Sequence, residues 1–309
     1  MGVYERVADS KEMKRNKRLA DKMSGVMGFD ENLDKVNKKR MRRIYEFAFA
    51  FLPREKGVSY EKACYGGVSC QVTIPKECRD NHILLYFHGG GFVAGSGNAT
   101  KGYTSMMAAF SRRRVIAPEY RRAPENPFPA GVDDCFSVYK EILSQYPDSE
   151  IVLLGDSAGG NLSLVTALRA IKEGLKKPAC LILHSPVVDF SGSVKRTEHE
   201  IQDSIVKIGC NKPLHQIYVG KADPGNPYVS PILGEFQDFS PLYITCDYHE
   251  TLNGDAHALY QKATQNHVEA VLVEMKNGYH AFGALAMSAP ETRQICRETV
   301  EFMDRMLSK

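Results

Sequence analysis

Short apolar runs alternate with longer helix-like segments along most of this chain, and that alternation constrains its fold more than any other feature. Continuous apolar runs are typical of strands that are covered on both faces. Strands that alternate with helices predict an α/β fold, with a mostly parallel central sheet flanked by helices. The runs are HILLYF, RVIAPEY, EIVLLG, ACLILHSP, PLYITC and EAVLVEM. The predicted helices are 101–112, 131–146, 158–174, 253–265 and 290–308.

Three other segments depart from this alternation. Residues 1–52 have a helical pattern, and GVSYEKACYGGVSCQVTIP predicts two strands that turn at Gly66-Gly67. The stretch 190–240 is polar, rich in Pro and Gly, and is predicted to be an insertion. No repeat or linker divides the chain, so we predict one domain over residues 1–309.

Composition excludes several classes of function. With 43% hydrophobic residues the chain can form a large core, and a net charge of +3 gives no reason to expect nucleic acid. Lys and Arg outnumber Asp and Glu in residues 1–56. This favours a solvated helical face there, with contact to a membrane surface or an acidic ligand as the alternative. We expect no signal peptide and no membrane span, and eight scattered cysteines favour a reducing, cytoplasmic location.

The segment IVLLGDSAGGNLS carries the main chemical signal. It places Ser157 in a G-x-S-x-G motif, with a predicted strand before it and a helix after it. Glycines on both sides permit a sharp turn that exposes the serine hydroxyl, and the helix N-terminus directs free N–H groups to the same place. We therefore predict that Ser157 is a nucleophile.

A serine nucleophile needs a base, and the base needs an acid that orients it. His280, in the glycine-bounded loop KNGYHAFG after the last predicted strand, is the candidate base. Two carboxylates in CDYHETLNGD compete for the acid role. Asp247 ends a strand and could simply cap a turn, whereas Glu250 lies further along a loop that can bend toward His280, so Glu250 is preferred. The spacing of His249 and His257 does not match a metal-binding helix, and no metal or cofactor is predicted.

The segment HGGGFVAGSG follows the first apolar run. It satisfies the loose dinucleotide pattern G-x-G-x-x-G/A, but no acidic residue follows at the distance that a ribose requires. N–H donors aimed at a developing oxyanion are the better interpretation. We predict that Gly89, Gly90 and Gly91 form this oxyanion and substrate-binding loop.

Five motifs together resemble the hormone-sensitive lipase family of α/β-hydrolases. They are HGGGF, YRRAPENPFPA, GDSAGGN, SPVVDF and GYHAF, and they span the chain from about residue 60 to its end. The resemblance implies a carboxylesterase of the acetyl esterase type without a cofactor, in which Gly90, Gly91 and Ala158 donate N–H groups to the oxyanion. It also implies a cap built from about residues 1–52 and an insertion at about 190–226. The family commonly has Asp where this chain has Glu250.

The resulting prediction is a serine esterase that acts on small, short-acyl esters through an acyl-enzyme. The alternatives are cleavage of an amide, lactone or carbamate, and a non-catalytic binding protein with the same fold, and a homodimer is left open. Short acyl groups are expected if apolar side chains of the N-terminal helices form the roof of the pocket; an equally good alternative is that they only anchor these helices to the core. These side chains are Met23, Met27, Phe29, Phe47, Phe49 and Phe51.

Overall fold

The apolar runs come together in one sheet in the computed structural model of the protein, which describes residues 2–27, 29–196 and 201–308 and, within 24–27, the backbone alone. Within these residues the sheet has nine strands. They are β1 (Gly2–Val7), β2 (Val58–Tyr65), β3 (Val68–Pro75), β4 (Ile83–Phe87), β5 (Arg114–Pro118), β6 (Ile151–Asp156), β7 (Cys180–His184), β8 (Leu242–Asp247) and β9 (Ala270–Lys276).

The strand order is β1-β9-β8-β7-β6-β4-β5-β3-β2. Strand β3 is antiparallel to both of its neighbours, and all the other adjacent pairs are parallel. The prediction of a mostly parallel sheet is confirmed. The predicted hairpin is also present, because Gly66 and Gly67 connect β2 to β3 with positive φ angles of 57° and 78°, the conformation that two-residue hairpin turns favour.

Helices cover the sheet, and five of them lie within two residues of the predicted spans 101–112, 131–146, 158–174, 253–265 and 290–308. The helices are α1 (Lys11–Met27), α2 (Lys38–Ala50), α3 (Lys101–Ser111), α4 (Ala130–Gln145), α5 (Ala158–Lys172), α6 (Asn211–Leu214), α7 (Asn253–Gln265), α8 (Phe282–Leu285) and α9 (Pro290–Leu307). Short 3-10 turns occur at Leu33–Lys35 and Pro231–Leu233, and one π turn follows α6. No helix in the described part of the chain is long and apolar enough to cross a membrane.

The beginning of the chain corrects one prediction. Residues 1–52 were predicted to be helical, but β1 is a strand that pairs in parallel with β9 at the edge of the sheet. Its partner, β9, lies near the other end of the sequence, so no local sequence pattern indicates the pairing. The chain is then fixed to α9, because the carboxylate of Glu291 accepts hydrogen bonds from the backbone N–H of Asp9 and from the N–H and hydroxyl of Ser10.

Candidate active site

Ser157 lies in the turn between β6 and α5, at the carboxyl end of a central strand. Its φ of 52° and ψ of −117° are strained for a residue other than glycine, and such strain persists only when the surrounding structure enforces it. Tight packing provides that enforcement: a Cβ on Gly159 would lie 1.9 Å from the carbonyl oxygen of Phe87. The motif glycine is therefore required by the close approach of β4 to the first turn of α5.

His280 and Glu250 come from the loops that follow β9 and β8, and both are 2% exposed. Nδ1 of His280 lies 3.4 Å from Oε2 of Glu250, a long and poorly aligned contact. Catalytic hydrogen bonds are often of this kind before substrate binds. Asp247 instead accepts the N–H of His249, so it caps the turn after β8. The geometry thus favours Glu250 over Asp247 as the partner of His280.

Burial and their mutual attraction both shift the pKa values of Glu250 and His280. Burial raises the pKa of Glu250 to about 7, although the nearby His280 and Ser185 act in the opposite direction. For His280, burial acts to lower the pKa, but the contact with Glu250 and the charges of Asp203 and Asp156 together outweigh it, and the pKa is raised above the ordinary histidine value. Glu250 therefore stabilises the imidazolium form of His280.

Ser185 is a residue of the site to which sequence reasoning gave no role. Its hydroxyl donates to Oε2 of Glu250 at 2.8 Å and accepts the backbone N–H of Ala281 at 2.8 Å. It therefore joins the acid to the loop that carries His280. The only sequence signal was the position of Ser185 directly after β7, within the motif SPVVDF.

The glycine loop after β4 presents N–H groups beside Ser157. Gly90 has a φ of 111°, which a residue with a side chain would rarely adopt. Among the hydrogen bonds of the described residues, none uses the backbone N–H of Gly90, Gly91 or Ala158. Gly89 differs, because its N–H donates to Oδ1 of Asp156 at 2.8 Å. The N–H of Gly89 is therefore not available to an oxyanion, and Gly89 instead fixes the loop to the turn that carries Ser157.

His88, the residue before the glycine loop, supports the conformation of that loop. It is buried and stacks on Tyr120, whose hydroxyl donates to the carbonyl oxygen of His88 at 2.7 Å. Burial lowers the pKa of His88 to about 3, so this ring is neutral at physiological pH. Its Nδ1 lies 2.7 Å from the carbonyl oxygen of Gly89, which orients the neutral ring and restrains the first glycine.

Ser157 and His280 line one cavity, which has a volume of about 230 Å³. The same cavity includes Gly90 and Gly91 in its wall. A larger groove of about 690 Å³ lies beside α7, but neither Ser157 nor His280 lines it. The smaller cavity is therefore the candidate active site.

The N-terminal aromatic residues divide into two groups. Phe29 and Phe49 line the cavity, as expected of a roof, and Tyr45 joins them. Phe47 and Phe51 are 70% and 73% exposed, so the expectation that they cover the pocket is wrong. One face of α2 carries Tyr45 and Phe49 inward, and the pattern of apolar residues alone did not show which face that is. Met23 lines a neighbouring cavity, and the side chain of Met27 lies outside the described residues.

Comparison with known proteins identifies the family of this chain. A family model for the alpha/beta hydrolase fold matches residues 84–284. The acetyl-hydrolase of Streptomyces hygroscopicus is 31% identical over 219 residues, which are 70% of this chain and 73% of that protein.

Two solved structures are similar over nearly their whole length. A crystal structure of an esterase from the bacterial hormone-sensitive lipase family superposes with a TM-score of 0.89 at 29% identity, covering 97% of this chain and 99% of the other. The esterase EstE5, in a crystal soaked with p-nitrophenyl butyrate, superposes with a TM-score of 0.87 at 27% identity, covering 97% and 100%. The chain belongs to the α/β-hydrolase fold family, among the carboxylic ester hydrolases of the hormone-sensitive lipase type.

Proposed function

We propose that this carboxylesterase cleaves small, short-acyl esters through an acyl-enzyme on Ser157. One observation carries the proposal: the cavity that contains Ser157 and His280 is also lined by Gly90 and Gly91, whose N–H groups have no partner among the described residues. Nucleophile, base and oxyanion donors therefore surround a single space in which an ester carbonyl can lie.

The reaction proceeds in two halves. His280 accepts the proton of the Ser157 hydroxyl as its oxygen attacks the ester carbonyl carbon. When the carbon–oxygen bond to the alcohol breaks, the protonated His280 gives that proton to the leaving alcohol. Water then attacks the acyl-enzyme with the same assistance and releases the acid. No cofactor takes part in the proposed sequence.

The oxyanion that forms in each half is negatively charged. The N–H groups of Gly90, Gly91 and Ala158 are the proposed donors, because none of them makes another hydrogen bond in the described part of the structure. Donors fixed in advance need no rearrangement when the charge develops, and the loss of one costs about 2.7–4 kcal/mol in acyl-transfer enzymes. Asp156 supports them by holding Gly89 in place.

The proposed role of Glu250 is to orient His280 and to stabilise its charged form. The distance of 3.4 Å and the complete burial of the pair support this role. Ser185 positions Glu250, since its hydroxyl donates a hydrogen bond to Oε2, the same carboxylate oxygen that faces His280.

The preference for short acyl chains rests on the size of the cavity. Its volume of about 230 Å³ is below the range of about 300–1,000 Å³ that is usual for ligand pockets. A second apolar cavity of about 120 Å³ lies next to it, and Phe49, Ile205 and Leu285 line both. These side chains therefore form the wall between the two cavities, and in the proposal this wall limits the length of the acyl chain. The crystal of the related esterase EstE5 was soaked with p-nitrophenyl butyrate, an ester with an acyl group of this length.

Two segments supply the proposed cap. Residues of both 1–52 and 190–226 line the cavity, including Phe29 and Phe49 from the first and Ile205 and Leu214 from the second. All eight cysteines are free thiols, which favours the proposed cytoplasmic location.

The test is kcat/KM across p-nitrophenyl esters from acetate to palmitate, measured below micelle concentrations. We expect a maximum between acetate and hexanoate. Values that still rise at decanoate would contradict the short pocket. Separate panels of amides, lactones and carbamates distinguish the ester from the related bonds.

A further inference from the structure

A second group of reactive side chains lies behind the triad acid, at the carboxyl ends of β8 and β9. Cys246 and Glu274 are paired in register on these two adjacent parallel strands, and His257 of α7 lies over them. Sγ of Cys246, a ring nitrogen of His257 and an oxygen of Glu274 all lie within 4.8 Å of one another. These three residue types are the usual protein ligands of Zn²⁺.

The contacts inside this group converge on one carboxylate oxygen. Nε2 of His257 lies 2.8 Å from Oε1 of Glu274, and Nδ2 of Asn253 donates to the same oxygen at 2.8 Å. The amide of Asn253 also lies 3.7 Å from Sγ of Cys246. Since an amide can present either its nitrogen or its oxygen, Asn253 can turn an oxygen toward a cation at this point.

Burial and access both suit an ion. Cys246 and Glu274 are buried, whereas the side chain of His257 is 36% exposed. His257 and Asn253 line the groove of about 690 Å³ beside α7, which provides a path from solvent.

We propose that Cys246, His257 and Glu274 form a binding site for one Zn²⁺ ion, with Asn253 or water as the fourth ligand. Zinc lies about 2.3 Å from sulfur and about 2.0–2.2 Å from nitrogen and oxygen, so in a tetrahedral site its ligand atoms are about 3.4–3.6 Å apart. Side-chain rotations bring the three atoms, which lie within 4.8 Å of one another, to this spacing. Binding forms a zinc–thiolate bond and releases the thiol proton to solvent.

The site is connected to the catalytic loop. The backbone N–H of Asn253 donates to the carbonyl oxygen of Glu250, and its side chain donates to the carbonyl oxygen of Asp247. An ion that draws in Asn253 and His257 therefore displaces the segment that carries Glu250. We expect Zn²⁺ to lower kcat; this consequence rests on the proposed function, whereas binding itself does not.

Cobalt binding tests the site directly. Chelator-treated protein titrated with Co²⁺ is expected to bind one equivalent, to show a sulfur-to-cobalt charge-transfer band, and to lose that band when Zn²⁺ is added. Cys246→Ala should abolish the band, whereas Cys78→Ser, which removes an exposed cysteine, should leave it unchanged. The absence of a band, or its persistence in Cys246→Ala, overturns the proposal.

A milder variant keeps the test informative if the buried cysteine cannot be replaced. His257→Ala is expected to weaken Zn²⁺ affinity by at least about tenfold. The control is His267→Ala, because His267 is exposed and does not line the groove. Equal affinity in wild type and His257→Ala overturns the site. If Zn²⁺ lowers kcat equally in both, the inhibition arises elsewhere and the link to Glu250 is overturned.

Discussion

The proposed catalytic core and the proposed cap of this protein differ in how the sequence specifies their structures. In the core, Ser157, Glu250 and His280 follow the ends of β6, β8 and β9, and the parallel sheet brings those ends to one edge. In the cap, α2 and the segment around α6 meet over the cavity from distant parts of the chain. In the proposed mechanism the sheet positions the reacting groups, whereas the choice of ester depends on packing between segments that share no local pattern.

This difference predicts two kinds of mutational effect. Changes in the core should lower turnover for all esters alike. Changes in the cap should alter the ranking of esters while leaving the chemical step nearly intact. The predictions below test that division, beginning with the largest expected effect.

Ser157→Ala should reduce kcat by at least about 10⁴-fold for every ester, because triad members act as a unit. Thermal unfolding should show that the variant remains folded. Retention of even a tenth of wild-type activity would remove Ser157 from the mechanism.

Glu250→Gln should reduce kcat by about 10⁴-fold, since a neutral amide cannot stabilise the imidazolium of His280. Asp247→Asn is the matched control, because this carboxylate caps a turn, and its effect should be much smaller. If the ranking of the two variants is reversed, Asp247 is the acid.

Phe49→Ala should join the acyl cavity to the apolar cavity beside it and extend the preferred chain length. Each additional buried methylene contributes about 0.8 kcal/mol, or about fourfold, so kcat/KM for octanoate relative to butyrate should rise by about tenfold or more. Phe47→Ala is the control: it lies on the same helix, is 70% exposed and lines neither cavity. An equal shift in both variants would show that the effect is not local to the pocket wall.

The smallest expected effect is a shift in the pH profile of kcat/KM. Activity requires neutral His280, and burial lowers the pKa of this ring less than the contact with Glu250 and the charges of Asp203 and Asp156 together raise it. Activity should therefore rise with pH through a midpoint above the ordinary histidine value of about 6.5. In Glu250→Gln the raising contact is lost, and the midpoint of the residual activity should fall. A midpoint that is unchanged between the two proteins would contradict this coupling. EDTA should not reduce activity at any pH.

The sequence predicted those parts of the site that local constraints determine. Ser157 and the glycines around it are visible because a strand, a sharp turn and a helix leave a local pattern, and His280 is visible because it follows a strand in a glycine-bounded loop. Glu250 was separated from Asp247 only by its distance from the strand end, and the structure supports that choice with a contact.

What the sequence did not predict depends on partners that are distant along the chain. Strand β1 pairs with β9. The backbone N–H of Gly89 donates a hydrogen bond to the carboxylate of Asp156. The role of Ser185 arises only when its hydroxyl meets Glu250. Phe47 and Phe49 are the same residue type, two positions apart on α2. Only the packing of that helix decides which of them lines the pocket.

The central claim is that Ser157 is an activated nucleophile in the small cavity, and active-site labelling tests it most directly. A fluorophosphonate reacts with a serine only when a base and an oxyanion site activate it. We expect intact-mass analysis to show one equivalent of probe on the wild type, peptide mapping to locate it on Ser157, and Ser157→Ala to remain unlabelled. Wild-type protein that is folded but unlabelled, or labelled at another residue, would contradict the account.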